Sequence, residues 1–335
     1  DLLPLKKGAK ILVTGPTADS QRSLNNGWTW TWQGERESAY PTDRPTVKQA
    51  LEKQFGAESV TYVPGAAYDE EVDIEAAAEA AAAADAVVLC LGELSYAETP
   101  GNIDDLALPP AQQRLAKAVA SAGKPVVLVL VQGRPRLIRD IADDAGAIVL
   151  AFNPGLEGGT ALAEVLAGEV NPSGKLPVTY PRQPHALRTY DHKAFEAVDT
   201  QFGLKAYQPQ YPFGFGLSYT DFEYSDLLIS ATGDTVTLGQ AIEVSVTVRN
   251  SGQRPGAEVV QLYLSDHVAS VTPPVKRLKR FAKVTLEPGE SQTLSFRLEQ
   301  DDLAFVGRDF RPTVEPGAFT LSVDDLKATF ELVAP

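Results

Sequence analysis

Residues 125–133 read PVVLVLVQG, an unbroken apolar run from Val126 to Val131 closed by a glutamine and a glycine. A strand with one wet face alternates apolar and polar residues. A continuous run is buried on both faces, the condition of a parallel sheet covered by helices. Working outward, the same texture recurs in KILVTG (10–15), SVTYVPG (59–65), AVVLCLG (86–92), AIVLAFN (147–153) and KLPVTYP (175–181). Between these strands lie helical patterns near 44–55, 70–84, 109–122, 135–143 and 158–168. The third strand is preceded by IEAAAEAAAAAD, almost wholly composed of strong helix formers. Strands alternating with helices predict an α/β domain with a mostly parallel sheet over residues 1–180.

Residues 181–217 are rich in Pro, Gly, Tyr and Gln and read as an irregular linker packed on the first domain. The pattern then changes. In IEVSVTVRN, Ile242, Val244, Val246 and Val248 share one face while Glu243, Ser245, Thr247 and Arg249 take the other. QTLSFRL and AFTLSV alternate likewise, with NSGQRPG, LEPGES and VEPGAF as turn signals between the runs. Short alternating strands without a helical period predict an all-β sandwich over residues 218–335.

Composition removes several classes of function. Thirty basic against 44 acidic residues give a net charge of -14, which argues against a nucleic-acid partner. The densest basic stretch, VKRLKRFAK (275–283), alternates with apolar residues and reads as a solvated strand edge. No apolar run approaches the length of a membrane span, so no membrane partner is expected. The chain has no charged, apolar, small-residue export signal at its start and contains no methionine. It therefore reads as a mature form, a proteolytic piece or one segment of something larger. Its acidic balance suits a secreted or periplasmic location. The single cysteine, Cys90, sits in an apolar strand and reads as a buried small hydrophobe. His185, His192 and His267 show no metal-ligand spacing, and Asn102, Asp104 and Asp105 lack that of an EF-hand. No metal and no cofactor are expected. Neither GxGxxG nor GxxxxGK[ST] follows Gly15, and GLSYTDF lacks the glycine of a nucleophile elbow.

In open α/β sheets ligands gather beyond the carboxyl ends of the strands. Two loops open there. One, from Pro16 to Tyr40, follows the first strand and holds all the tryptophans: Trp28, Trp30 and Trp32. The other, GELSYAETPGNIDD, follows the strand ending at Leu91. An indole packs on the C–H face of a sugar ring, and glycoside cleavage needs a carboxylic acid beside the leaving oxygen. Glu98 and Glu93 are the candidates for that acid. The residue types alone leave two plainer readings open: carboxylates that solvate a loop, and tryptophans that belong to the core.

Six segments carry a resemblance. GWTWTWQG, GELSYAETPGN, VLVQGRPRLI, NPGLEGGTALAEVLAGEVNPSGKLPVTYP, YPFGFGLSYTDFEY and VKRLKRFAKVTLEPGESQTLSF occur in this order along nearly the whole chain. Together they resemble the C-terminal portion of glycoside hydrolase family 3, of the β-glucosidase and exo-β-glucanase kind. The resemblance implies an (α/β)6 sandwich followed by a fibronectin type III-like domain. It implies that Glu98 is the general acid/base and that Trp32, with Trp28, lines the leaving-group subsite. Glu93 would support the loop, and no role carries over to Trp30. The family's nucleophilic aspartate lies on an N-terminal (β/α)8 barrel that has no counterpart in these residues. The implied partners are that barrel, as a second chain or excised segment, and a β-glucoside or oligosaccharide, with β-xylosides as the alternative. A homodimer of the complete enzyme stays open. A non-catalytic carbohydrate-binding or assembly module is the competing reading, because tryptophans alone can hold sugars.

Overall fold

The computed structural model describes residues 2–184, 186, 188–197, 208–231 and 234–335; His185 and the middle of the 181–217 linker lie outside the described residues. The chain divides into two compact units, Asp1–Val170 with Pro181–Ala186, and Asn171–Tyr180 with Leu187–Pro335.

The first unit is built on a parallel sheet. Its strands are β1 (Ile11–Thr14), β2 (Val60–Val63), β3 (Ala86–Gly92), β4 (Val126–Val131) and β5 (Ala147–Phe152), ordered β2-β1-β3-β4-β5. Registers such as Ile11 beside both Val60 and Ala86, and Val87 beside Val126, make every pairing parallel. Every residue of β3 and β4 is buried, as the continuous apolar runs require.

The helices are α1 (Gln21–Asn25), α2 (Val47–Phe55), α3 (Ile74–Ala83), α4 (Pro110–Ala120), α5 (Arg139–Ala142) and α6 (Gly158–Ala167). Three of the longer ones, α2, α3 and α6, show a local reason to begin or end where they do. Thr46 and Gln49 form a capping box at the start of α2, satisfying two otherwise unpaired amides. Asp73 caps α3 by accepting from the Ala76 amide at 2.9 Å. Gly168, in the left-handed conformation, ends α6. On one sheet face Val13, Val88, Cys90, Val127 and Val129 pack with Val47 and Leu51 of α2 and Leu162 and Leu166 of α6. The alternate residues, Leu12, Leu89, Leu91, Leu128 and Leu130, point to the opposite face. They too are buried.

The sequence predicts a sixth strand at 175–181, and the structure has none. Pro177 and Pro181 cannot donate to a ladder, and the segment forms a single bridge, Tyr180 to Tyr211. Residues 171–180 group with the second unit.

The second unit carries β6 (Phe222–Ile229), β7 (Thr235–Thr237), β8 (Ile242–Asn250), β9 (Gly256–Asp266), β10 (Arg277–Leu286), β11 (Ser291–Leu298), β12 (Phe305–Val306), β13 (Pro312–Thr313), β14 (Gly317–Val323) and β15 (Leu326–Val333). One sheet runs β10-β9-β14-β15-β7 and another β11-β8-β6. Ile242, Val244, Val246 and Val248 are buried together with Val260, Leu262, Phe319 and Phe330, the core of a sandwich. The basic stretch forms β10, an edge strand. Among the described residues, no helix is long and apolar enough to cross a membrane.

Candidate active site

Strand order fixes where the site can be. β1 pairs with β2 on one side and β3 on the other, so the chain leaves β1 in one direction and β3 in the other. This is a topological switch point, and the crevice beyond the strand ends there is the ligand position of open α/β sheets. The tryptophan loop leaves β1, and the Glu98 loop leaves β3. Both hang from this crevice.

All three tryptophans are exposed: Trp28 by 68%, Trp30 by 50% and Trp32 by 49%. That excludes the core reading, and the alternating W-T-W-T-W is not a strand. The loop folds back on itself, the Trp28 amide donating to the Trp32 carbonyl at 2.8 Å. The Trp28 and Trp32 rings lie 6.4 Å apart, and Trp30 meets Tyr40 edge-on at the same separation. Tyr40 anchors the loop from below. Its hydroxyl lies 3.0 Å from the Thr29 hydroxyl and donates to the Gly34 carbonyl at 3.1 Å. Burial pushes the Tyr40 phenol upward.

The two loops are packed on each other through backbone. A Cβ on Gly27 would lie 2.2 Å from the Tyr96 carbonyl oxygen, so only glycine permits this approach. Asn26 Oδ1 accepts from the amides of Gly27 and Tyr96 at 2.8 and 2.7 Å. Gln33 pairs with the backbone of Ala97 in both directions: its Nε2 donates to the Ala97 carbonyl and its Oε1 accepts from the Ala97 amide, each at 2.9 Å.

Glu98 is exposed and follows directly. Its backbone is left-handed (φ 52°), as are those of Asn26 (φ 65°) and Trp28 (φ 54°). Non-glycine residues held this way cost of order 1–3 kcal/mol each and gather at functional sites. Among the described residues, none donates a hydrogen bond to the Glu98 carboxylate. Its main chain is fixed, however: the Glu98 carbonyl accepts from the Gly101 amide at 2.9 Å.

Glu93 is different in every respect. It is buried, and Oε1 lies 2.7 Å from Arg134 Nε and 3.1 Å from Arg136 Nε. Oε2 accepts from the amides of Gly133 and Arg134 at 3.1 and 2.9 Å. The carboxylate thus ties the start of the Glu98 loop to the loop after β4. One guanidinium and two amides donate to it and a second guanidinium lies against it, so it is engaged in holding the loops and not turned to a leaving-group oxygen. Arg134 also stacks on the Tyr96 ring at 3.9 Å and donates to the Gly101 carbonyl. Burial, reinforced by the Glu93 charge, pushes the Tyr96 phenol upward. Asp105 is spent on the local chain, accepting from the Ala107 amide at 2.8 Å.

The sequence thus directs attention to Glu98, Trp28 and Trp32, which project from two loops bound together at one rim. It gives no sign of Asn26, Gln33 and Arg134, whose partners are about 33–70 residues away in the chain. Only the amide types, able to mimic a peptide group, mark Asn26 and Gln33 in retrospect.

Fold and rim define a class: a two-part chain, an α/β sheet unit and a β-sandwich, with an exposed aromatic cluster beside an unpartnered carboxylate at the switch point. Residues 1–219 match the model of the glycosyl hydrolase family 3 C-terminal domain, and residues 258–326 match that of the fibronectin type III-like domain. A lysosomal beta glucosidase of Dictyostelium discoideum is 40% identical over 96% of this chain and 41% of its own length. A periplasmic beta-glucosidase of Salmonella typhimurium is 35% identical over 99% of this chain and 48% of its own. Among solved structures, a beta-glucosidase from Listeria innocua in complex with laminaribiose superimposes with a TM-score of 0.87 at 33% identity, covering 99% of this chain and 46% of that one. The chain belongs to glycosyl hydrolase family 3, and it spans less than half the length of these relatives.

Proposed function

We propose that this chain is the acid/base half of a retaining, exo-acting β-glucosidase. The reading rests on one observation above the others: the exposed indoles of Trp28 and Trp32 and the carboxylate of Glu98 stand on loops joined at the switch point by side-chain amides bonded to backbone. Trp32, with Trp28, stacks on the leaving-group sugar. Glu98, as the acid, gives its proton to the glycosidic oxygen. The bond from the anomeric carbon to that oxygen breaks, and its electron pair leaves with the now neutral alcohol. An aspartate of the barrel, on another domain or chain, forms the glycosyl-enzyme bond. In the second step the Glu98 carboxylate takes a proton from water as the water oxygen displaces that aspartate. The two carboxyl groups of such a pair stand about 5–5.5 Å apart, which sets how closely the barrel must approach Glu98.

The β-glucosidase names of the relatives support glucose as the sugar, and the periplasmic relative supports a location outside the cytoplasm. The test is Glu98→Gln in the assembled enzyme. Loss of a general acid costs about 10²–10⁴-fold on substrates with poor leaving groups. Aryl glucosides that leave without protonation should be slowed far less in their first step, and equal losses on both substrate types would refute the acid role.

A further inference from the structure

The two-way bond between Gln33 and Ala97 does more than close a loop. Gln33 follows Trp32 in the chain, and Ala97 precedes Glu98. One side-chain amide therefore joins the residue beside the indole platform to the residue beside the carboxylate. It does so as a strand neighbour would, donating to the carbonyl and accepting from the amide of the same residue, both at 2.9 Å. Asn26 makes the adjoining contact one residue earlier, on the Tyr96 amide. Beyond the clamp the Glu98 backbone is left-handed at φ 52°. Such a conformation persists only where its surroundings over-determine it. The clamp on one side and the Gly101-to-Glu98 backbone bond on the other supply that constraint.

We infer that Gln33 is a positioning residue: it fixes the Glu98 carboxylate relative to the sugar platform of Trp32, so that the proton donor and the stacked leaving group keep one geometry. This rests on the reading of Glu98 as the acid/base. Gln33 touches no reacting atom. Its effect should fall on the protonation-dependent step, where a misplacement of about 1 Å is enough for a roughly hundredfold loss.

The experiment pairs two measurements. In this chain, amide hydrogen exchange is followed at Tyr96 and Ala97 for wild type, Gln33→Ala and Gln33→Glu. In the complete enzyme with its barrel, kcat/KM is measured for glucosides spanning a range of leaving-group acidity, for the same variants and for Glu98→Gln. Gln33→Ala should speed exchange at Ala97 by about tenfold, the equivalent of one lost hydrogen bond. It should also steepen the dependence on leaving group, slowing poor leaving groups about tenfold more than good ones. Gln33→Glu keeps an acceptor for the Ala97 amide but opposes a carboxylate to its carbonyl. It should retain protection at the amide and still steepen the dependence. If exchange quickens while all glucosides slow by one common factor, and Glu98→Gln alone steepens the dependence, Gln33 is merely structural and the inference is overturned. If Glu98→Gln itself leaves the dependence flat, the acid/base reading has failed, and the inference falls with it by a separately visible route.

Discussion

Replacing Glu93 by glutamine should unfold the α/β unit far more readily while changing almost nothing in shape. The Glu93 carboxylate is buried, lies 2.7 and 3.1 Å from two guanidinium nitrogens and accepts from two backbone amides. Arg136 is itself buried. Burial lowers the pKa of its guanidinium, and the facing Glu93 charge opposes that fall. Glutamine removes the charge and turns an NH₂ group toward either the two arginines or the two amides. Leaving one member of a buried pair uncompensated costs about 3–5 kcal/mol. At an m-value of about 2 kcal/mol/M, even 3 kcal/mol moves the urea midpoint down by about 1.5 M. Every α-helix among the described residues lies in the first unit, so far-UV circular dichroism at 222 nm follows that unit selectively. A midpoint shift below about 0.5 M, roughly 1 kcal/mol, would refute the view that this carboxylate holds the loops after β3 and β4 together.

Two further outcomes are expected. Burial pushes the Cys90 thiol from 9.0 up to about 12, so at pH 8 it should not react with a thiol-specific reagent until the protein is unfolded. Its protonated form is the one the fold favours. That contribution is complete below pH 9 and is lost as pH rises toward 12, which alkaline unfolding of wild type against Cys90→Ala would register. In the β-sandwich, buried Asn250 donates to the Arg254 and Leu286 carbonyls at 2.7 and 2.9 Å and accepts from the Thr220 hydroxyl and the Gly252 amide. Asn250→Asp would set an acceptor against two carbonyls, costing about 1–3 kcal/mol or more. A variant unfolding in urea with the wild-type midpoint would refute that account.

The parallel sheet was legible because burial on both faces writes itself into β3 and β4 as unbroken apolar runs. The sandwich was legible because burial on one face leaves a period of two. The failure at 175–181 has the opposite cause: Leu176, Val178 and Tyr180 give a strand-like alternation, but Pro177 within it and Pro181 at its end deny the ladder donors. Helix α1 is only five residues long, too short to show a period, and its capping serine, Ser20, is the one local clue. At the candidate site the residue types narrowed attention to Glu93, Glu98 and the three tryptophans, because few side chains stack on sugars or carry protons. The resemblance to the family is what selected Glu98, Trp32 and Trp28 among them. Whether the tryptophans were core or surface could not, since alternation with threonine reads equally well as a strand. The pairing of Gln33 with Ala97 spans 64 residues and leaves no local pattern at all.

Strand β10 closes one edge of the larger sandwich sheet, and among the described residues no further strand pairs with its outer side. Arg277, Lys279 and Lys283 lie along it, and a bulge between Leu278 and Arg280 breaks its regularity. On a molecule of net charge -14 this is a local island of positive charge. Two copies approaching edge to edge would bring like charges together across a bent strand, which keeps the sheet from growing into a ribbon. That protection is electrostatic on a surface, so it thins as the screening length falls toward about 3 Å in molar salt. Copies of a protein this acidic repel one another overall, yet this strand edge is guarded by charges of the opposite sign.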